Sequence, residues 1–267
     1  MKNISVPEVK IIKQLDGLTS IRFFLALSIV LFHNCEEFSN AGYYFEIISR
    51  GYCSVSGFFL LSGLILAYNY DRKYNLRAYF QNRFARIYPL YLLSLIFAFP
   101  LFLYFQYQTN ANYIGTVIPI SIVSVLMIQS WSVEWLSHLN PPTWSLSVEA
   151  FLYLIFPLSL LIIQRFKGIS LYIIPLCFYI IIISLYLKYP ENLGTGANPI
   201  LHIPTFIFGI FTGILLSRNK LSIFCCSFIT YSYLISPVYN SFLHWKIEFC
   251  NSTDHVLKAF PVIFVLL

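Results

Sequence analysis

Long apolar runs alternate with short polar connections along the whole chain. The runs cover roughly residues 18–34, 53–70, 87–107, 143–163, 171–187, 200–217 and 221–243. A helix needs about twenty predominantly apolar residues to cross the hydrocarbon layer of a bilayer, and these runs approach or reach that length. Two other runs do not. Residues 118–130 are apolar over only thirteen positions, which favours a re-entrant or buried segment. Residues 256–267 stop after twelve, too few to span. The pattern predicts an all-α polytopic membrane protein, a bundle of about 7–9 transmembrane helices. It reads as a single domain over 1–267. Residues 1–17 form a cytoplasmic N-terminal segment, 18–243 the helical bundle, and 244–267 a polar loop with an incomplete apolar segment.

The polar positions orient the bundle. Lys2, Lys10 and Lys13 precede the first run, and no A-x-A site follows it, so that run reads as an uncleaved anchor. Arg72, Lys73, Arg77, Arg83 and Arg86 face a single acid, Asp71, in the connection after the second run. This bias places that connection and the N-terminus in the cytoplasm. Arg165, Lys167, Arg218 and Lys220 fall on the same side only if 118–130 dips rather than crosses. The positive-inside rule therefore favours the dip. Only 10% of the residues are charged, against about 25% in a soluble domain. The net charge of +6 follows from these connections and implies no nucleic-acid partner. Six cysteines include no C-x-x-C pair, and no metal site is expected.

Candidate chemistry lies where polar residues interrupt apolar runs. Arg22 and His33 flank ten almost wholly apolar residues of the first run. In a helix they stand roughly 16 Å apart along the axis. An ionisable group within a span costs about 2.5–3.5 kcal/mol on insertion scales, which makes each a candidate for function. The alternative is that Arg22 snorkels to headgroups and His33 caps the helix. Arg83 and Arg86, three apart, share a face if helical, and Pro89 fits a first helical turn. Arginines suit phosphates through bidentate hydrogen bonds, and lipid phosphate is the alternative ligand. Ser62 and Gly63 belong to a run rich in small residues, and Gly209 and Gly213 lie four apart, both signals of close helix packing. Glu149 follows the start of the 143–163 run by about one and a half turns. If that run begins at the outer face, Glu149 and His33 share a depth, where the carboxylate supports a protonated imidazole. The alternative for Glu149 is a buried partner to an arginine.

Taken together these residues resemble the acyltransferase 3 family of integral membrane acyltransferases, which includes bacterial O-antigen O-acetyltransferases. The resemblance rests on Arg22 with His33 eleven positions on, SVSGFFLLSG at 54–63, RFARIYPLY at 83–91 and TWSLSVEAFLYLIFP at 143–157. It implies a multi-pass protein of the bacterial plasma membrane with no permanently bound cofactor. It implies acyl-CoA, usually acetyl-CoA, as donor, and a carbohydrate or glycolipid hydroxyl as acceptor. On this resemblance His33 and Glu149 are catalytic, and Arg22, Arg83 and Arg86 bind the donor. Trp144, Ser145, Ser147, Ser62 and Gly63 are substrate or supporting positions. The short C-terminal part departs from the family, and the chain is expected to be truncated relative to it. His202 stands where an arginine is expected. Two other readings remain open: a transporter or flippase for a glycan or lipid intermediate, and an inactive truncated relative.

Overall fold

A computed structural model describes residues 16–34, 50–71, 75–109, 112–136, 139–165 and 197–218, with isolated positions at 45, 48 and between 173 and 188. The apolar segments expected at 221–243 and 256–267, and most of 171–187, lie outside the described residues, as does Lys220. Every regular element described is helical. They are α1 (Asp16–His33), α2 (Cys53–Tyr70), α3 (Leu76–Thr109), α4 (Tyr113–Val125), α5 (Trp144–Gln164) and α6 (Pro199–Ser217), with short helical turns between. Four of the described helices are long and apolar enough to cross a membrane: α2, α3, α5 with its preceding turn, and α6. The first run, α1, is apolar but shorter.

The helix α3 begins eleven residues before its apolar run, because Asn75 caps it. The Asn75 Oδ1 accepts from the backbone N–H of Arg77 at 2.9 Å and of Ala78 at 3.3 Å, which satisfies two donors that have no partner inside the helix. Arg83 and Arg86 are therefore helical, as their spacing suggests. Pro89 lies well inside the helix rather than in its first turn.

The bundle is built around α2 and α6, which run parallel. A Cβ at Gly209 would collide with the Leu60 carbonyl oxygen, one at Gly213 with that of Leu64, and one at Gly63 with that of Phe206. Only glycine lets these backbones come so close, and in lipid such packing replaces the hydrophobic force that joins helices in water. The helix α5 lies parallel to both, filling the core with Val148, Leu152, Phe156 and Leu160 against Leu66, Phe206 and Ile210. The ends of α2, α5 and α6 meet at Asp71. Its carboxylate accepts from the Ser217 hydroxyl at 2.8 Å and from the Gln164 amide at 3.1 Å, and pairs with Arg218 at 3.4 Å. We call this the lower end. α1 runs antiparallel to α2, with Gly51 against Ser28 and Gly57 against Leu25, so His33 sits at the upper end.

The helix α3 ascends from the lower end, and Tyr79 at its foot donates to the Tyr153 carbonyl at 2.8 Å. The short α4 then descends along the upper half of α3. The Tyr113 and Tyr107 rings are 5.5 Å apart, and the Tyr91 hydroxyl donates to the Ser124 carbonyl. There α4 stops, near the level of Tyr91, and the chain passes through a break into α5, which continues downward. The segment expected at 118–130 thus begins in a helix at Tyr113–Val125, which at 13 residues is shorter than a span. It starts earlier than expected because Tyr113 and Val117 already pack against α3.

Gly209→Val forces a branched side chain onto the Leu60 carbonyl. We expect it to lower the unfolding midpoint of the detergent-purified protein by an amount equivalent to about 1–3 kcal/mol. Gly115→Ala meets only the end of the Asn112 side chain, and its midpoint should stay the same or rise slightly.

Candidate active site

A cavity of about 290 Å³ opens between α1, α2, α3 and α5. Its walls are Arg22, Phe58, Ser62, Arg86, Ile87, Leu90, Tyr91, Ser94, Leu146 and Glu149. Each polar group reaches it for a local reason. Arg22 lies near the start of α1, level with the middle of α2. Arg86 comes from the third turn of α3. Glu149 faces α2, where Ser62 donates to its Oε1 at 3.0 Å. Tyr153, one turn further along α5, donates to the same oxygen at 2.5 Å. Both hydrogen bonds are taken by Oε1, so this carboxylate is fixed in orientation. The Arg83 guanidinium lies 5.6 Å over the Tyr153 ring, a cation–π placement, and Arg83 is not among the residues that line the cavity.

The charges do not cancel. Arg22 and Arg86 share the cavity with one carboxylate, and among the described residues the only ion pair is Asp71 with Arg218. The Nε atoms of Arg22 and Arg83 are buried with no acceptor among the described residues. A buried donor on a charged group without an acceptor is costly, and a bound anion supplies the missing partner. The cavity therefore suits an anionic group held by arginines, with apolar walls continuing away from it.

His33 is not part of this cavity. It lies exposed at the end of α1, its ring 5.7 Å from that of Phe32. Eleven residues separate it from Arg22, roughly 16 Å along the helix. The expectation that Glu149 and His33 share a depth is corrected here. It assumed that α5 starts at the outer face, whereas α4 occupies the upper level and α5 starts in the middle. Glu149 consequently stands with the arginines. His138 lies outside the described residues.

The remaining motif positions divide between cavity and scaffold. Ser62 serves Glu149. Gly63 packs on α6 and does not reach the cavity. Ser147 donates to the Met127 carbonyl at 2.6 Å, and the Trp144 carbonyl accepts from Ser130 at 2.7 Å, so both hold the break between α4 and α5. Ser145 makes a 3.4 Å bond to the Pro142 carbonyl at the start of α5. His202 lies with its ring 4.7 Å from Phe59 and 5.9 Å from Trp144. The residues missed by the sequence reading are Tyr153, Tyr91 and Ser94. Tyr153 could have been found, since it falls four positions after Glu149 and so on the same helix face.

Comparison with known proteins shows the family. The model of a family described as an acyltransferase domain matches residues 15–267. The acyltransferase MdmB of Streptomyces mycarofaciens is 32% identical over 159 residues, covering 57% of this chain and 41% of that protein. The O-acetyltransferase OatA of Staphylococcus aureus is 29% identical over 212 residues, covering 70% of this chain and 31% of that protein. The chain thus spans less than half the length of either relative. No solved structure matches it.

Inorganic pyrophosphate, a simple diphosphate probe, should raise the unfolding midpoint of the purified protein. At a hundredfold excess over its dissociation constant the gain is about 2.7 kcal/mol. The double variant Arg22→Gln/Arg86→Gln should abolish that shift. An equal shift in the variant would remove the arginines from anion binding.

Proposed function

The chain belongs to the acyltransferase-domain family, and on that footing we propose that it is a membrane-bound O-acyltransferase. It moves an acyl group, acetyl by the analogy with OatA, from acyl-CoA to a hydroxyl of a cell-surface or exported polysaccharide. The observation that carries this reading is the cavity that gathers Arg22, Arg86 and Glu149, with the Arg22 Nε left without an acceptor among the described residues.

In this reading the arginines hold the phosphates of the donor through charge-assisted hydrogen bonds. The donor's arm extends from them along the apolar cavity wall towards the upper end of the bundle. There His33 acts as general base and takes the proton from the acceptor hydroxyl. The oxygen attacks the thioester carbonyl carbon, the carbon–sulfur bond breaks, and the departing thiolate takes the proton from the imidazolium. Glu149 keeps its place beside the arginines as a positioning group, with Ser62 and Tyr153 fixing its carboxylate. The proposed orientation has a cytoplasmic N-terminus in a bacterial plasma membrane. It puts the lower end and the arginines towards the acyl-CoA pool, and His33 towards the exported acceptor. A bundle of seven to nine spans is part of the same proposal.

Acyl-CoA consumption by membranes carrying the full chain tests it. His33→Ala should reduce transfer by about a hundredfold or more while the protein remains in the membrane. Arg22→Ala should raise the KM for acyl-CoA. Transfer retained in His33→Ala would remove the base role. Flux of a glycan substrate with no acyl-CoA consumed would favour a transporter instead.

A further inference from the structure

The arginine cavity holds an ion pair that is not made. Arg22, Arg86 and Glu149 all line it. The Arg22 Nε is buried with no acceptor among the described residues. The Glu149 Oε2 takes no donor among them either, since both hydrogen bonds to this carboxylate end on Oε1. Away from bulk water, opposite charges attract more strongly than they do in it. Yet neither arginine pairs with the carboxylate, and among the described residues the one ion pair lies at Asp71. A donor without an acceptor and an acceptor without a donor face one cavity and do not meet.

What keeps them apart is the pair of donors on Oε1. Ser62 reaches it from α2 at 3.0 Å, and Tyr153 from the next turn of α5 at 2.5 Å. Hydrogen bonds to an ionised oxygen are the strong kind. Tyr153 is held at three points. Its backbone carbonyl accepts from the Tyr79 hydroxyl at 2.8 Å. Its ring carries the Arg83 guanidinium on one face. The rest of its side chain is packed into the core and is 4% exposed. A phenol fixed in this way does not follow the carboxylate, so any swing of Glu149 towards an arginine breaks the bond.

We propose that Tyr153 is the positioning residue of the anion site. Together with Ser62 it holds Glu149 off Arg22 and Arg86, and so keeps both arginines open to an incoming anion. Arg83, outside the cavity wall, acts on the site by steadying the Tyr153 ring. Without the phenol hydroxyl, Glu149 becomes a built-in competitor of the ligand for the same two arginines. The proposal rests on the cavity being an anion site, and not on the transfer reaction.

Titration of the purified full chain with inorganic pyrophosphate tests this through a double-mutant cycle. Tyr153→Phe keeps the ring, its core packing and its contact with Arg83, and removes only the donor. It should raise the dissociation constant about tenfold, the scale of one hydrogen bond to a charged group. Made in a Glu149→Gln background, the same change should have no further effect, because a neutral amide does not compete for the arginines. A merely structural role for the hydroxyl would weaken binding equally in both backgrounds. Ser62→Ala should repeat the pattern, and it decides the matter if Tyr153→Phe fails to fold. Unchanged affinity in both variants, or an equal loss with and without the Glu149 charge, overturns the proposal. No pyrophosphate binding by the unaltered chain removes the anion site itself, and the proposal with it. The expected cycle in protein that consumes no acyl-CoA would keep the positioning role and count against the enzyme reading alone.

Discussion

The contact of α2 with α6 is the constraint on which the rest depends. Three glycines remove the side chains that would hold the two backbones apart. The seam then sets the depth of every residue on α2. Ser62 is one step from Gly63, so the position of the Glu149 carboxylate follows from the glycine packing through a single hydrogen bond. Asp71 secures the same register at the lower end by gathering donors from α5 and α6. Packing and polar bonds thus act together, as they must where lipid offers helices no hydrophobic reason to associate.

The broken traverse formed by α4 and α5 has the opposite character. It gives up helical hydrogen bonds in the middle of the bundle and replaces them with side-chain bonds from Ser130, Thr143 and Ser147. The compensation is incomplete, since two amide oxygens have no partner among the described residues. What the break contributes is geometry. It starts α5 at mid-depth, and that start brings Glu149 level with Arg22 and Arg86. Ser147, within the same short motif as Glu149, holds the break that sets its depth.

Much of this was legible in the sequence, and the failures have physical causes. The apolar runs located α2, α5 and α6 to within a residue or two. The excess of basic residues at one end, with the shortness of 118–130, pointed to a segment that does not cross. The start of α3 was missed because hydropathy marks the edge of the apolar run, whereas Asn75 marks the edge of the helix. Arg22, Arg86 and Glu149 were each singled out, and an arginine partner for Glu149 stood as the alternative, but the main reading set Glu149 beside His33. Counting residues from the start of a run gives depth only if the run begins at a membrane face, and α5 does not. Tyr91 and Ser94 were invisible for a different reason: a tyrosine or serine in an apolar run is ordinary, and only α4 folding back beside them makes them part of a wall.

The Asp71 cluster also bears on how the chain is assembled. Ser217 lies 146 positions after Asp71, and Gln164 lies 93 after it. During synthesis α2 leaves the ribosome and enters the bilayer long before either partner exists. Its carboxylate must then stay hydrated at the interface, and its glycine face must lie against lipid. Arrival of α6 closes both at once, drawing Asp71 into the bundle as the seam forms. The last described helix is thus the latch of the assembly, and the bundle cannot settle into its final register until that helix has been inserted.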